Sequence, residues 1–336
     1  MKIAFMTEMG FTGKIDKTHE NMRTEFAWMN ALDAVHFPLK DYQMVRGYDY
    51  IIIIWPKGNV DVISSGSPAL PVKPRPNLLA KYLSQPIIRT LKNNNNKKVC
   101  YMQEGPSWFF NDYNIVDQFN WYNIVVDSDI IFCHNISDTR FYDGLFPNKD
   151  IKVMPSLMIE NLISDLECHP DNKVIIGGNF AKWYGGFQSY MIADEFEAEK
   201  WIPTMHNKRQ YEDQIEDLHH LPYMNWLQWM KTLATFKFAI HLMPTVAAGT
   251  FSLNCAYLGI PCIGNEKLDT QRLCFPELSV DVEDLVQARQ LAKKLFEDDE
   301  FYEYCSEEAK KNYEMFFRKE IFLQWWNEWN GINLKL

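Results

Sequence analysis

Tyr50-Ile51-Ile52-Ile53-Ile54-Trp55, stopped by Pro56, is the stretch on which the fold turns. Four successive isoleucines leave no polar face for water, so the segment reads as a strand covered on both sides. Such strands belong to parallel sheets with helices packed above and below.

Working outward, further short apolar runs read as strands. They lie at 3–6, 98–102, 130–133, 151–154, 173–178, 200–203, 238–242 and 260–264, with a last edge at 279–280. The run at 260–264 carries Pro261 near its start, where a strand tolerates it. Helical patterns alternate with these runs. They fall at 20–32, 78–91, 137–145, 186–199, 227–236, 250–257, 282–296 and 301–329, with another helix closing at 123–126. Met22, Phe26 and Met29 share one side of the first of them. Residues 58–77, with Pro68, Pro71, Pro74 and Pro76, read as a long loop suited to a lid. The four-Asn run 93–96 reads as an exposed connector.

The alternation predicts an α/β fold of two Rossmann-like, doubly wound parallel-sheet domains facing across a cleft. A length of 336 residues agrees with two domains. The expected division is 1–160, then 170–315, with a terminal helix at 316–336. That helix is rich in Phe and Trp and is expected to pack back on the first domain.

Composition narrows the function. A formal net charge of -10 gives no general attraction for nucleic acid. Seven cysteines without a C-x-x-C pair suggest no disulfide scaffold and no zinc site. The first apolar run ends at Thr7-Glu8, too short for a signal peptide. No run of about eighteen apolar residues is present. The expectation is a cytoplasmic protein without a transmembrane segment, with peripheral membrane contact left open.

In doubly wound sheets, ligands bind beyond the C-terminal strand ends. That rule nominates the loops after Met6, Met102, Cys133, Ile176 and Leu242. Glu8, Gly10 and Gly13 lie in the first loop, where Gly10 permits close backbone approach to a ligand. Glu104 and His134 follow strand ends and are candidates to orient an acceptor hydroxyl. Their plainer reading is a solvated surface group and a capping or core residue. Thr250 and Ser252 stand at a helix start, as caps or as phosphate-binding hydroxyls. Asp127-Ser128-Asp129 matches a metal-nucleotide pattern but precedes its strand, at the wrong end for a site. His219-His220 lacks the partners a zinc site needs. No metal is expected.

Four stretches carry a resemblance. They are 127–132 through 148–155; Lys173-Val174-Ile175-Ile176-Gly177-Gly178 with Lys182 and Gly185-Gly186; Leu221-Pro222-Tyr223-Met224-Asn225-Trp226; and 248–261, running from Ala248-Gly249-Thr250-Phe251-Ser252 to Gly259-Ile260-Pro261. In that order they resemble the retaining nucleotide-sugar glycosyltransferases of the glycogen-synthase-like group, whose fold is called GT-B. The resemblance implies a hexose-type sugar moved from a UDP- or GDP-sugar to a sugar or glycan acceptor, with no tightly bound cofactor and no metal. It places Gly10, Gly178, Asn179, His241, Thr250, Phe251, Ser252 and Asn254 at the nucleotide sugar. Lys182 and Arg209 would offset charge on the leaving diphosphate, with Lys208 competing for the second role. Glu104 and His134 would serve the acceptor.

The chain departs from that pattern at three places. Asn254 stands where the family has Glu, Val246 where its partner Glu falls, and Gly178-Asn179 where Gly-Arg is usual. Two other readings therefore stay open: a nucleotide-sugar epimerase of the same architecture, and a catalytically silent binding or scaffold protein. A Rossmann dehydrogenase fits less well, since no G-x-G-x-x-G follows the first strand.

Overall fold

The structure, a computed structural model, describes residues 1–7, 9–16, 24–55, 88, 91–92, 97–103, 105–112, 115–181, 183–204 and 208–330. The 58–77 loop, the 93–96 connector and most of the helix expected at 78–91 lie outside the described residues, as do Glu8, Glu104 and Lys182. The chain divides into two compact units, Met1–Asp16 with Trp28–Met154, and Lys17–Ala27 with Pro155–Leu336.

The first unit holds β1 (Ile3–Thr7), β2 (Val35–Pro38), β3 (Tyr50–Trp55), β4 (Lys98–Gln103), β5 (Ile130–Cys133) and β6 (Asp150–Val153). They form one sheet in the order β2-β1-β3-β4-β5-β6, and every pairing is parallel. The isoleucine strand is central. Ile52 lies beside Phe5 on one side and Cys100 on the other, all fully buried. Helix α1 (Thr24–Ala31) precedes β2, α2 (Ile115–Asp127) precedes β5, and α3 (Ile136–Leu145) follows it.

The second unit holds β7 (Asp171–Ile176), β8 (Glu199–Pro203), β9 (Leu218–Leu221), β10 (Phe236–His241), β11 (Cys262–Asn265) and β12 (Ser279–Val280). Their order is β12-β11-β10-β7-β8-β9, again all parallel. Its helices are α4 (Gly186–Ala193), α5 (Trp226–Leu233), α6 (Thr250–Leu258), α7 (Asp269–Cys274), α8 (Leu285–Glu297), α9 (Asp299–Phe316) and α10 (Lys319–Trp329). Two six-stranded parallel sheets flanked by helices match the expected fold class.

The differences have local causes. Strand β2 and the 3-10 segment Leu39–Gly47 were not expected, because Val35-His36-Phe37-Pro38 is short and holds a histidine and a proline. That histidine is buried by Thr7 and Phe11: its Nδ1–H donates to the Phe11 carbonyl at 2.7 Å, so Nε2 accepts from the Thr7 hydroxyl at 2.8 Å. Strand β9 and helix α7 were also missed. Pro261 lies outside β11, which starts at Cys262. Helix α5 starts at Trp226 because Asn225 and Gln228 form a reciprocal capping box at 2.9 and 3.3 Å. The C-terminal helical stretch is two helices, broken at Phe317-Arg318.

Asp127-Ser128-Asp129 has a structural role. Asp129 accepts the Val99 N–H at 2.8 Å and pairs with Lys92 at 2.8 Å, and the Ser128 hydroxyl bonds the Ile124 carbonyl. The seven cysteines are all free, and six are buried; Cys168 is exposed. Among the described residues no helix is long and apolar enough to cross a membrane.

Candidate functional site at the β7–β10 crevice

Strand order fixes where each sheet opens. The chain moves outward from β7 to β8 and β9, then returns to lay β10 on β7's other side. In doubly wound sheets that reversal is where ligands enter, so the C-terminal ends of β7 and β10 are the candidate crevice. In the first sheet the same switch lies between β1 and β3.

The crevice is lined by backbone at close range. The Gly177 N–H donates to the Ile240 carbonyl at 2.9 Å. A Cβ on Gly177 would stand 2.5 Å from His241 Cγ and 2.8 Å from Phe251 Cδ1. One on Gly178 would stand 2.6 Å from Tyr184 Cβ and 3.2 Å from His241 Nε2. No other residue fits either place without moving the histidine or the loop. Gly185 has φ +64°, and a Cβ there would fall 1.8 Å from the Leu242 carbonyl oxygen. The loops after β7 and β10 are in contact because glycine lets them be. The Ser189 hydroxyl fastens them, donating to the Gly185 carbonyl at 2.8 Å and accepting the Leu242 N–H at 2.9 Å.

His241 ends β10 and is 7% exposed. Its ring meets Phe251 edge-on at 4.9 Å. Burial pushes its pKa down from 6.5 to about 4, so the imidazole is neutral at neutral pH. Its Nε2 is buried and has no hydrogen-bond partner among the described residues. Buried polar atoms are nearly always bonded, so an unpartnered one at a strand end marks His241 as a candidate recognition group.

Helix α6 follows β10. Its cap is Gly249, left-handed at φ 66°, with no side-chain cap bond, so neither Thr250 nor Ser252 caps the helix. Ser252 instead turns inward, its hydroxyl 3.1 Å from the Gly249 carbonyl and 2.8 Å from Thr270 Oγ1. Thr250 is exposed at the first turn, where helical N–H groups lack partners within the helix. Asn254 is 4% exposed, and its amide fits its surroundings when it donates to the Thr250 carbonyl at 3.2 Å and accepts from Trp229 Nε1 at 3.1 Å.

The structure thus brings together four of the expected residues: Gly178, Asn179, His241 and Phe251. Asn179 is buried, and its Oδ1 accepts the Ala181 N–H at 2.9 Å. In the first unit, Gly10 is exposed with nothing described within 4 Å of a Cβ placed on it. His134 is buried and stacks on Trp28 at 5.2 Å. His219 stacks on Trp201 at 4.7 Å, and His220 bonds Glu212 at 3.0 Å. Arg209 is exposed and lines a cavity of about 410 Å³ with Phe180, Ala181, Gly186, Phe187 and Gln188. Its competitor Lys208 is paired with Asp213.

No protein-family model and no curated protein matches the sequence. Solved structures do. HepE of Anabaena, in complex with UDP and glucose, matches at 10% identity with a TM-score of 0.66, over 98% of this chain and 99% of that one. An α-glucosyltransferase in complex with UDP and a DNA containing a HMU base matches at 12% identity with a TM-score of 0.65, over 98% of each chain. TarM of S. aureus matches at 10% identity with a TM-score of 0.59, and there the chain covers 87% of itself and only 58% of its counterpart. At these identities the likeness shows the fold.

The fold is GT-B. Within that GT-B chain, sequence reading overlooked Gly177, Tyr184 and Ser189. A lone serine in the apolar helix Gly186-Phe187-Gln188-Ser189-Tyr190-Met191-Ile192-Ala193 was the available signal for the last of these.

Proposed function

We propose that the protein is a glycosyltransferase that takes a nucleoside-diphosphate sugar into the β7–β10 crevice. It passes a hexose-type sugar to a sugar or glycan hydroxyl, with retention and without a metal. The observation that carries this reading is the open Nε2 of His241, buried beside Gly177 and Gly178 at the switch point of a Rossmann sheet. HepE and the α-glucosyltransferase, which share the fold, were both solved with UDP.

Each group has a defined task. Neutral His241 serves as a hydrogen-bond partner to a donor hydroxyl or phosphate oxygen and adds no charge. The first-turn N–H groups of α6, with the Thr250 hydroxyl, hold the diphosphate as its leaving charge develops. Lys182, in the loop after β7, is assigned the compensating cation. The glycine-lined loops keep His241 in place before the donor arrives, which lowers the cost of organising it.

Titration calorimetry with UDP, GDP and their sugar conjugates tests this reading. One nucleotide should bind selectively, and His241→Ala should weaken it by about tenfold, the worth of one buried hydrogen bond. A folded protein that binds none of them would sink the proposal.

One observation favours a second reading. Asn254, where the resembling family has Glu, spends its amide on Trp229 and the Thr250 carbonyl. A protein that holds the nucleotide sugar without transferring it would keep the crevice and lose the turnover. Release of free UDP or GDP from the bound conjugate, followed over hours, separates the two.

A further inference from the structure

The cavity beside the β7 and β8 loops has a composition of its own. Phe180 and Phe187 give it flat apolar walls, Gln188 an amide and Arg209 a cation. Phe187 is 60% exposed, so its ring is offered to solvent.

Arg209 differs from the other described arginines of its unit. Arg272 lies against Asp269, Arg289 against Glu195, and Arg318 against Glu314. Arg209 meets no carboxylate among the described residues, in a chain with 44 acidic side chains to 34 Lys and Arg. Its backbone, by contrast, is held firmly. Glu212, 5% exposed, accepts the Arg209 N–H at 2.7 Å through one oxygen and bonds His220 Nε2 at 3.0 Å through the other. The Glu212 N–H returns to the Arg209 carbonyl at 3.1 Å. Between the two, Tyr211 sits at φ +69°, a left-handed conformation that a bulky side chain adopts only where its surroundings impose it. A buried carboxylate and a strained turn thus hold the backbone of an arginine whose guanidinium meets no carboxylate among the described residues.

These parts fit one chemical class. A pyranose ring has an apolar C–H face that rests on an aromatic ring, and hydroxyls that bond an amide. A carboxylate, sulfate or phosphate on that ring matches the planar fork of arginine. We propose that this cavity is a subsite for an acidic sugar unit of the acceptor, with Arg209 binding its anionic group and Glu212 as the positioning residue. The proposal rests on the sugar-transfer reading above. The same guanidinium chemistry would serve a donor diphosphate, and the test separates the two sources.

The test is titration of the intact chain with glucuronate, glucose, inorganic phosphate and UDP, followed by ligand-observed NMR. Glucuronate should bind about tenfold more tightly than glucose, a preference of the size one charge-assisted pair supplies. Arg209→Ala should erase that preference, and Phe187→Ala should weaken both sugars. Glu212→Ala should act like Arg209→Ala. Glu212→Gln, which keeps an acceptor for the Arg209 N–H, should retain the preference. Equal binding of glucose and glucuronate would overturn the proposal. So would phosphate binding as tight as glucuronate and indifferent to Phe187→Ala. A loss on Arg209→Ala that falls on UDP and spares glucuronate would return Arg209 to the donor diphosphate. Failure of UDP to bind, with the glucuronate preference intact, would support the subsite and count against the transferase reading alone.

Discussion

The two sheets are built alike and finished differently at their strand ends. Each has six parallel strands and one switch point. In the first unit, buried His36 has both ring nitrogens bonded, to Thr7 and Phe11. In the second, buried His241 has an open Nε2. Gly10, in the loop after β1, has room for a side chain, while Gly177, Gly178 and Gly185 have none. Near the first switch the Thr7 hydroxyl and both His36 nitrogens are spent on the unit's own fold, while Trp55 Nε1, at the end of β3, is buried with no partner among the described residues. The second unit holds its open His241 Nε2 in a frame that tolerates no added atom. Shared topology does not dictate shared strand-end packing: each unit leaves one buried ring N–H or nitrogen unpaired at its switch, but only the second closes glycine loops round it.

Substitutions can break that contrast, and the largest effect is expected at Gly185. Gly185→Ala puts a Cβ into the Leu242 carbonyl and forces a left-handed φ on alanine. Strain and overpacking together should cost about 4 kcal/mol, read as a shift in denaturant midpoint. A loss below about 1 kcal/mol would show that the two loops are not locked.

His241 gives the next effect, in its pH dependence. An unfolded histidine titrates near 6.5, and burial brings His241 to about 4. The unfolded chain therefore binds that proton more tightly. Stability present above pH 6.5 is lost as pH falls toward 4, by about 3 kcal/mol in all. Unfolding at pH 7 and pH 4.5 should show most of this loss in the wild type and not in His241→Phe. Equal acid sensitivity of the two proteins would place the proton elsewhere.

The smallest effect sharpens the comparison directly. Gly177→Ala should cost about 2 kcal/mol and displace the histidine, whereas Gly10→Ala should stay within about 0.5 kcal/mol. Similar costs at both sites would erase the distinction between the units.

Much of this organisation was legible in the sequence, for identifiable reasons. Strands buried on both faces announce themselves by apolar runs, so Tyr50–Trp55 and Ile130–Cys133 were read with their observed bounds. Edge and partly polar strands do not: Val35–Pro38 and Leu218–Leu221 carry histidines that only tertiary partners make tolerable. At the candidate site, Gly178 was accessible through the strand-end rule and His241 through the family resemblance. The need for Gly177 was not, because it arises in part from the Phe251 ring, in a helix far along the chain that sequence cannot place at 2.8 Å. Nor could sequence tell Arg209 from Lys208, since the difference is a single carboxylate, Asp213, that turns toward the lysine.

The distribution of thiols gives the two units separate gauges. Native protein should offer an alkylating reagent Cys168 first, while Cys100 and Cys133 report only when the first sheet opens, and Cys255, Cys262, Cys274 and Cys305 only when the second does. Peptide-resolved labelling during unfolding would therefore time the opening of each half within one intact chain, with no inserted probe.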